Sequence, residues 1–272
     1  VIDTHCHLTF PDYAGRIDEE LELAGSLGVT GAISIATTTV DSLDTLRLTR
    51  EHDNVYCTAG VHPLYSHEHP HDWDVLRAHA TEPKCVAFGE LGLDHHHTTE
   101  HTRHQFKVLA EQLAVIESIA DEGNALPIVI HCRKAFADLL PILRQSTLDR
   151  SRYVFHCFTG TEDEARNVLD FGAMISFTGV VTYANAKDVA RAALLVPDDR
   201  IMVETDAPFL TPEPKRGERP CRIGYARYTA QFLANLRGTP FPDFHRIIDD
   251  NTERFFGIRI PVEDDSVLET IA

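Results

Sequence analysis

CVAFGELGLDHHHTTEHTRHQFKVLAEQLAVIESIADEGNALPIVIH, residues 85–131, reads as one complete strand–helix–strand unit. The apolar runs 85–91 and 126–131 predict strands, and between them 101–123 repeats its apolar residues at helical spacing. The same alternation continues in both directions. Strands are expected near 1–6, 31–37, 55–61, 153–157, 173–178 and 201–205, and helices near 16–28, 40–52, 72–82, 134–147, 161–171, 185–195, 222–237 and 243–257. Repeated βα units build a parallel sheet, and eight of them in a chain of 272 residues predict an α/β fold of the (β/α)8 TIM-barrel type. No linker-like stretch interrupts the chain, so a single domain over 1–260 with a C-terminal tail at 261–272 is expected. A doubly wound nucleotide-binding sheet is the alternative, but the first βα turn lacks G-x-G-x-x-G and GxxxxGK[ST] is absent.

Composition narrows the setting. Hydrophobic residues make up 43%, and no apolar run approaches the ~20 residues that a membrane span needs. The opening does not resemble a signal peptide, and six scattered cysteines without a C-x-x-C pair favour reduced thiols, so a cytoplasmic location is expected. Cys6, Cys132 and Cys157 each follow a histidine, and strand alternation is expected to turn them into the core. A net charge of −17 argues against a broad polyanion-binding surface but not against a nuclease, since two divalent cations would cancel about four charges where it matters.

Barrel enzymes build their sites at the carboxyl ends of strands, and here five apolar runs end in residues of metal-ligand type: His5 and His7, Glu90, His131, His156, and Asp206. His5 and His7, two apart on a strand, face the same way. Four imidazoles and two carboxylates exceed the roughly three protein ligands of one catalytic metal. The count suits two divalent ions, Mg²⁺, Mn²⁺ or Zn²⁺. His5, His7, Glu90 and Asp206 are assigned to one ion, and Glu90, His131 and His156 to the other, with Glu90 as the bridge. A metal-acidified water would be the nucleophile, with Asp206 orienting it or taking its proton. Glu204, two before Asp206, is expected to support a ligand or bind an additional ion. Asp94 is expected either to orient a ligand or substrate group or to cap a loop.

Several longer stretches carry a resemblance. IDTHCHL at 2–8, AGVHP at 59–63, FGELGLD at 88–94, PIVIHCR at 127–133, FHCFTG at 155–160, AMISFTGVVTY at 173–183, ETDAPFL at 204–210, PKRG at 214–217 and NTERFFGI at 251–258 resemble, in order, the TatD family of metal-dependent deoxyribonucleases among the amidohydrolase-like barrels. The resemblance implies a TIM barrel, divalent metals, and hydrolysis of DNA phosphodiesters, often as a 3′ to 5′ exonuclease on single strands. It also implies the ligand set just given. A cytoplasmic DNA-repair role on single-stranded DNA is the corresponding expectation, and a monomer is expected because no helix stands out as a dimer face. Near the substrate phosphate the resemblance implies His62, Arg133 and Arg216. Arg133 can clamp a phosphate oxygen with its planar fork of donors, and His62 can donate to phosphate or cap its loop.

Two segments depart from the family pattern. His95-His96-His97 stands where an aromatic pair is usual, which alters any base stacking there, and Glu218-Arg219-Pro220-Cys221-Arg222 replaces an Asn-Glu-Pro segment at the rim. The histidine run, with His67, His69 and His71, reads as solvated loops rather than metal storage. Two rival classes are an ester or amide hydrolase of the same superfamily, for example one that removes an acyl group from mischarged tRNA, and a non-catalytic binding protein. Glu90 stands where many such barrels use a modified lysine, which favours the nuclease family.

Overall fold

The computed structural model describes residues 1–68, 70–97 and 101–260. His69 and the expected tail at 261–272 lie outside the described residues. All eight expected strands are present: β1 (Ile2–Cys6), β2 (Gly31–Ser34), β3 (Val55–Ala59), β4 (Cys85–Asp94), β5 (Ile128–Arg133), β6 (Tyr153–Phe155), β7 (Met174–Phe177) and β8 (Ile201–Val203). They form one sheet in chain order, β1 to β8, with parallel pairing. The helices are α1 (Ile17–Ser26), α2 (Thr39–Glu51), α3 (Asp74–His79), α4 (Thr102–Asp121), α5 (Phe136–Leu143), α6 (Glu162–Phe171), α7 (Lys187–Leu195), α8 (Ala226–Arg237) and α9 (Phe241–Phe256). This is the (β/α)8 barrel that the alternation predicts.

Contacts group the chain into two compact units. The first comprises Val1–Ser34, Cys157–Ala165 and the chain from Ser176 onward. Its core includes Ile33, Val203, Leu233 and Phe244, and α8 and α9 end on Gly238 and Gly257 in the left-handed region. Here the last strand returns to the first. Thr4 Oγ1 donates to the Val203 carbonyl at 3.0 Å, Asp206 N to the His5 carbonyl at 2.9 Å, and His7 N to the Ala207 carbonyl at 2.8 Å. The seam of the barrel therefore runs through residues read as metal ligands.

The second unit comprises Ile35–His156 and Arg166–Ile175. Helix α2 starts on Thr38, whose hydroxyl accepts from Asp41 N at 3.0 Å. Helix α4 buries Val108, Leu109, Leu113, Ile116 and Ile119 on one face, as its apolar spacing predicts. The strands differ from expectation in one respect that matters. Strand β4 does not end at Glu90 but continues to Asp94, paired with β5 through Gly92↔His131 and Asp94↔Arg133. Glu90 is thus an interior strand residue, and β5 runs two residues past His131. The close pairing depends on Gly92, because a Cβ there would lie 1.9 Å from the His131 carbonyl oxygen.

All six cysteines are free thiols. Cys6 and Cys132 are buried as alternation predicts, whereas Cys157 is only half-buried, because it lies beyond β6 with φ 44° and no longer follows the pleat.

Candidate metal centre

In the first unit, alternation along β1 sends His5 and His7 to one side while the Cys6 thiol turns back to the Ile33 carbonyl. Asp206 follows β8 in the left-handed region, φ 61°, a conformation that aspartate tolerates better than most residues. Its Oδ1 lies 3.6 Å from His5 Nε2 and 3.4 Å from His7 Nε2. Beneath them is a residue whose role the sequence does not reveal. Buried Asp3 accepts from Thr205 Oγ1 at 2.5 Å, Thr205 N at 2.9 Å and His5 N at 3.3 Å, tying the backbone of His5 to that preceding Asp206. Burial pushes the Asp3 carboxyl up to about 8, against the lowering effect of these donors. Glu204 is also buried, and both its oxygens accept: Oε1 from Cys157 N at 2.6 Å, and Oε2 from Ser176 Oγ at 2.6 Å. It fixes the backbone that follows His156.

In the second unit, Glu90 Oε2 lies 2.7 Å from His156 Nε2 and 3.2 Å from His131 Nδ1, and the two nitrogens are 3.3 Å apart. Tetrahedral ligands ~2.1 Å from a common ion stand ~3.4 Å apart, so the spacing fits one divalent ion. In the first group the carboxylate–imidazole distances of 3.4 and 3.6 Å are close to that value. Among the described residues, His5, His7 and Asp206 make one set of donors within 4.8 Å of one another, and His62, Glu90 and His131 another. Carboxylate–imidazole sets suit divalent cations.

Hydrogen bonds decide which imidazole nitrogen faces the ion. His131 Nε2 is 3.0 Å from Asp94 Oδ2, and a carboxylate can only accept, so Nε2 is a donor and Nδ1, beside Glu90, is the nitrogen that would offer its lone pair to an ion. Asp94 also accepts from His96 N and His97 N at 2.8 Å each, so it both orients a ligand and caps a loop. Burial raises the Asp94 carboxyl, but hydrogen bonds from His131 and His97 outweigh this and hold it well below the usual carboxylate range. His131 is the mirror case. Its burial opposes the charged form, yet Asp94 and Glu90 raise it above the ordinary histidine value.

His62 differs. Its Nδ1 accepts from Leu64 N at 3.0 Å, which leaves the ring proton on Nε2, 3.1 Å from His131 Nδ1 and 3.8 Å from Glu90 Oε2. Although it lies within the donor set, its protonated nitrogen makes it a hydrogen-bond donor into the site rather than a ligand. Arg133 ends β5, two residues past His131 and half-buried. Arg216 lies over the Tyr183 ring at 4.0 Å with Glu213 3.8 Å away. Segment 218–222 is anchored: the Glu218 carboxylate accepts from Tyr225 Oη, and Arg222 Nε donates to buried Glu20 at 2.7 Å.

Two glutamines on α4 complete the support, and sequence reading passes over them. Gln112 accepts from Val61 N at 2.7 Å and donates to Val61 O at 3.0 Å; Gln105 does the same to Asp94, at 2.9 and 3.1 Å. Seven residues apart, they present two clamps from one helix face, gripping the backbone before His62 and at Asp94. Gln112→Leu, similar in volume, strands the Val61 amide and is expected to cost about 1–3 kcal/mol of stability. Urea unfolding of both forms measures this; equal midpoints would remove the clamp.

A barrel carrying two histidine–carboxylate sets at its strand ends defines the chain as a metal-dependent hydrolase of the amidohydrolase-like class. Comparison with known proteins narrows this further. The family model for TatD related DNase matches residues 2–257, and the chain belongs to the TatD family. It is 37% identical to the "uncharacterized metal-dependent hydrolase YcfH" of Escherichia coli K12, over 95% of this chain and 96% of that protein. To the "3′-5′ ssDNA/RNA exonuclease TatD" of Erwinia tasmaniensis it is 31% identical, covering 95% of this chain and the whole of the other. The crystal structure of the E. coli TatD homolog YJJV superposes with a TM-score of 0.86 at 28% identity, over 95% of this chain and 98% of that one. Among the described residues, no helix is long and apolar enough to cross a membrane.

Proposed function

We propose that this chain hydrolyses phosphodiester bonds in DNA, removing nucleotides from the 3′ end of single strands, with one divalent ion held by His5, His7 and Asp206 and one by Glu90, His131 and His156. The observation that carries this reading is the Glu90–His131–His156 set, whose donor atoms meet at close spacing with the His131 ring oriented by Asp94. The Erwinia relative's named activity supports the polarity and the single-stranded substrate. Bound divalent ions acidify a coordinated water and neutralise charge on a phosphodiester.

The chain's own residues do the rest. Asp206, partly exposed beside His5 and His7, accepts the proton of the attacking water. His62, its proton on Nε2, donates to a phosphate oxygen. Arg133 grips the phosphate with two parallel donors as charge develops, and Arg216, held flat on Tyr183, adds a further phosphate contact. Glu204, with both oxygens bonded to the protein, supports the backbone beside the ligands.

The test is nucleotide release from 3′-labelled and 5′-labelled single-stranded DNA after chelation and re-addition of Mg²⁺, Mn²⁺ or Zn²⁺. Metal-dependent release from the 3′ label first is the expected result, and Arg133→Ala should slow it on the order of ten- to a hundredfold. A folded, metal-loaded protein that releases nothing from DNA or RNA but cleaves an ester or amide would transfer the site to the rival hydrolase class.

A further inference from the structure

Phe209 is a large apolar side chain left 46% exposed. It follows Asp206 by three residues, in a turn closed by its own N–H donating to the Asp206 carbonyl at 2.9 Å. Its ring meets that of Phe10 edge to face, with centroids 6.1 Å apart and planes at 79°. Phe10 in turn lies flat on the His7 imidazole, 4.7 Å away at 20°. A continuous series of ring contacts thus leads from one metal-type ligand, His7, outward to a phenylalanine with nearly half its surface in water, whose backbone is bonded to that of a second, Asp206. Exposing a ring forgoes the stabilisation of burying it, and this exposed ring is joined through Phe10 to a residue of the candidate metal set.

We propose that Phe209, backed by Phe10, is a stacking platform for a nucleobase of the single strand whose phosphate is being cleaved. The proposal rests on the nucleic-acid reading above and adds a subsite to it. Stacking suits this chain. With a net charge of −17 it cannot draw a polyanion by diffuse attraction, and a flat apolar ring gains affinity from the base without meeting the phosphate charge. The usual aromatic pair is also missing after Asp94. Two of its three histidine replacements are engaged through ring nitrogens, His95 Nε2 with Asp138 at 2.9 Å and His97 Nδ1 with Asp94 at 2.8 Å. Every base has a π face, so the platform holds any base and discriminates against a missing one.

The experiment uses single-stranded oligonucleotides that end in 2-aminopurine, with a phosphorothioate final linkage to slow cleavage, titrated with the metal-loaded protein. Wild type quenches the probe on binding; Phe209→Ala is expected to bind roughly tenfold more weakly and to lose the quench. Phe209→Tyr restores both, and Leu194→Ala, which removes an equally exposed apolar side chain on α7, matches wild type. With cleavable substrates, wild type favours a terminal base over an abasic end and Phe209→Ala does not. Retained quenching and retained base preference in Phe209→Ala overturn the platform. If wild type cleaves no oligonucleotide yet the quench depends on Phe209, the hydrolytic reading falls and the platform stands; cleavage that ignores Phe209 has the opposite meaning.

Discussion

Glu90→Ala is expected to lower metal-dependent hydrolysis on the order of a thousandfold while leaving the barrel folded. Glu90 Oε2 lies close to both His131 Nδ1 and His156 Nε2, so alanine removes from this set the carboxylate that would balance a dication. The measurement pairs nucleotide release with elemental analysis of the dialysed protein. Metal content also reads the bridging role expected from the sequence: a bridge predicts that Glu90→Ala loses both ions, whereas a ligand to one ion predicts loss of one. Full activity with full metal content would remove Glu90 from the site.

Asp94→Asn is the second large effect, although Asp94 is not proposed to touch an ion. An amide in place of the carboxylate no longer dictates which His131 nitrogen carries the proton, and metal affinity is expected to fall about 10- to 100-fold at neutral pH. The pH dependence gives a second readout. His131 is raised by Asp94 and Glu90, so in wild type a proton competes with the ion from a higher pH downward. Without the Asp94 carboxylate that competition begins at lower pH, and the gap in affinity between the two proteins narrows on acidification.

The sign of the metal-free stability follows from the same pair. The contribution of raised His131 is fully present below its unfolded value and is lost as pH rises through its folded value. That of depressed Asp94 is present above ~4 and is lost only as pH falls through its much lower folded value. The ion pair thus stabilises the metal-free protein most between these limits. Titration calorimetry and urea unfolding across pH 5–8, within the range ~4 to ~8 where carboxylates are charged and histidines titrate, test both statements. A gap in affinity that widens on acidification would contradict the tautomer argument.

Much of this was legible in the residues. Apolar runs separated by helical spacing gave all eight strands, and the ligand-type residues at or near their carboxyl ends lie close together within each set, His5, His7 and Asp206 in one and Glu90, His131 and His156 in the other, because a parallel barrel puts every strand's carboxyl end on one rim. The misreading at β4 has a local cause. The apolar run predicts a strand over 85–91, but partners in β5 extend it to Asp94, and pairing across strands is invisible in a linear string. Gln105 and Gln112 were missed for a related reason. A glutamine on a helix ordinarily faces water, and nothing in its neighbours announces that its amide will grip the backbone of a strand far away in sequence. Asp3 stands beside the ligand pair in the opening strand, but only the return of the last strand reveals that it ties His5 to Thr205.

That return also has a consequence for the order of events during synthesis. A chain emerging from its N-terminus has Glu90, His131 and His156 in hand once residue 156 is made, while His5 and His7 wait fifty residues longer for Asp206 to arrive on the closing strand. The two donor sets are therefore born at different times. The second set is complete only once the strand that closes the barrel has been made, so its donors are held by the closure of the barrel itself.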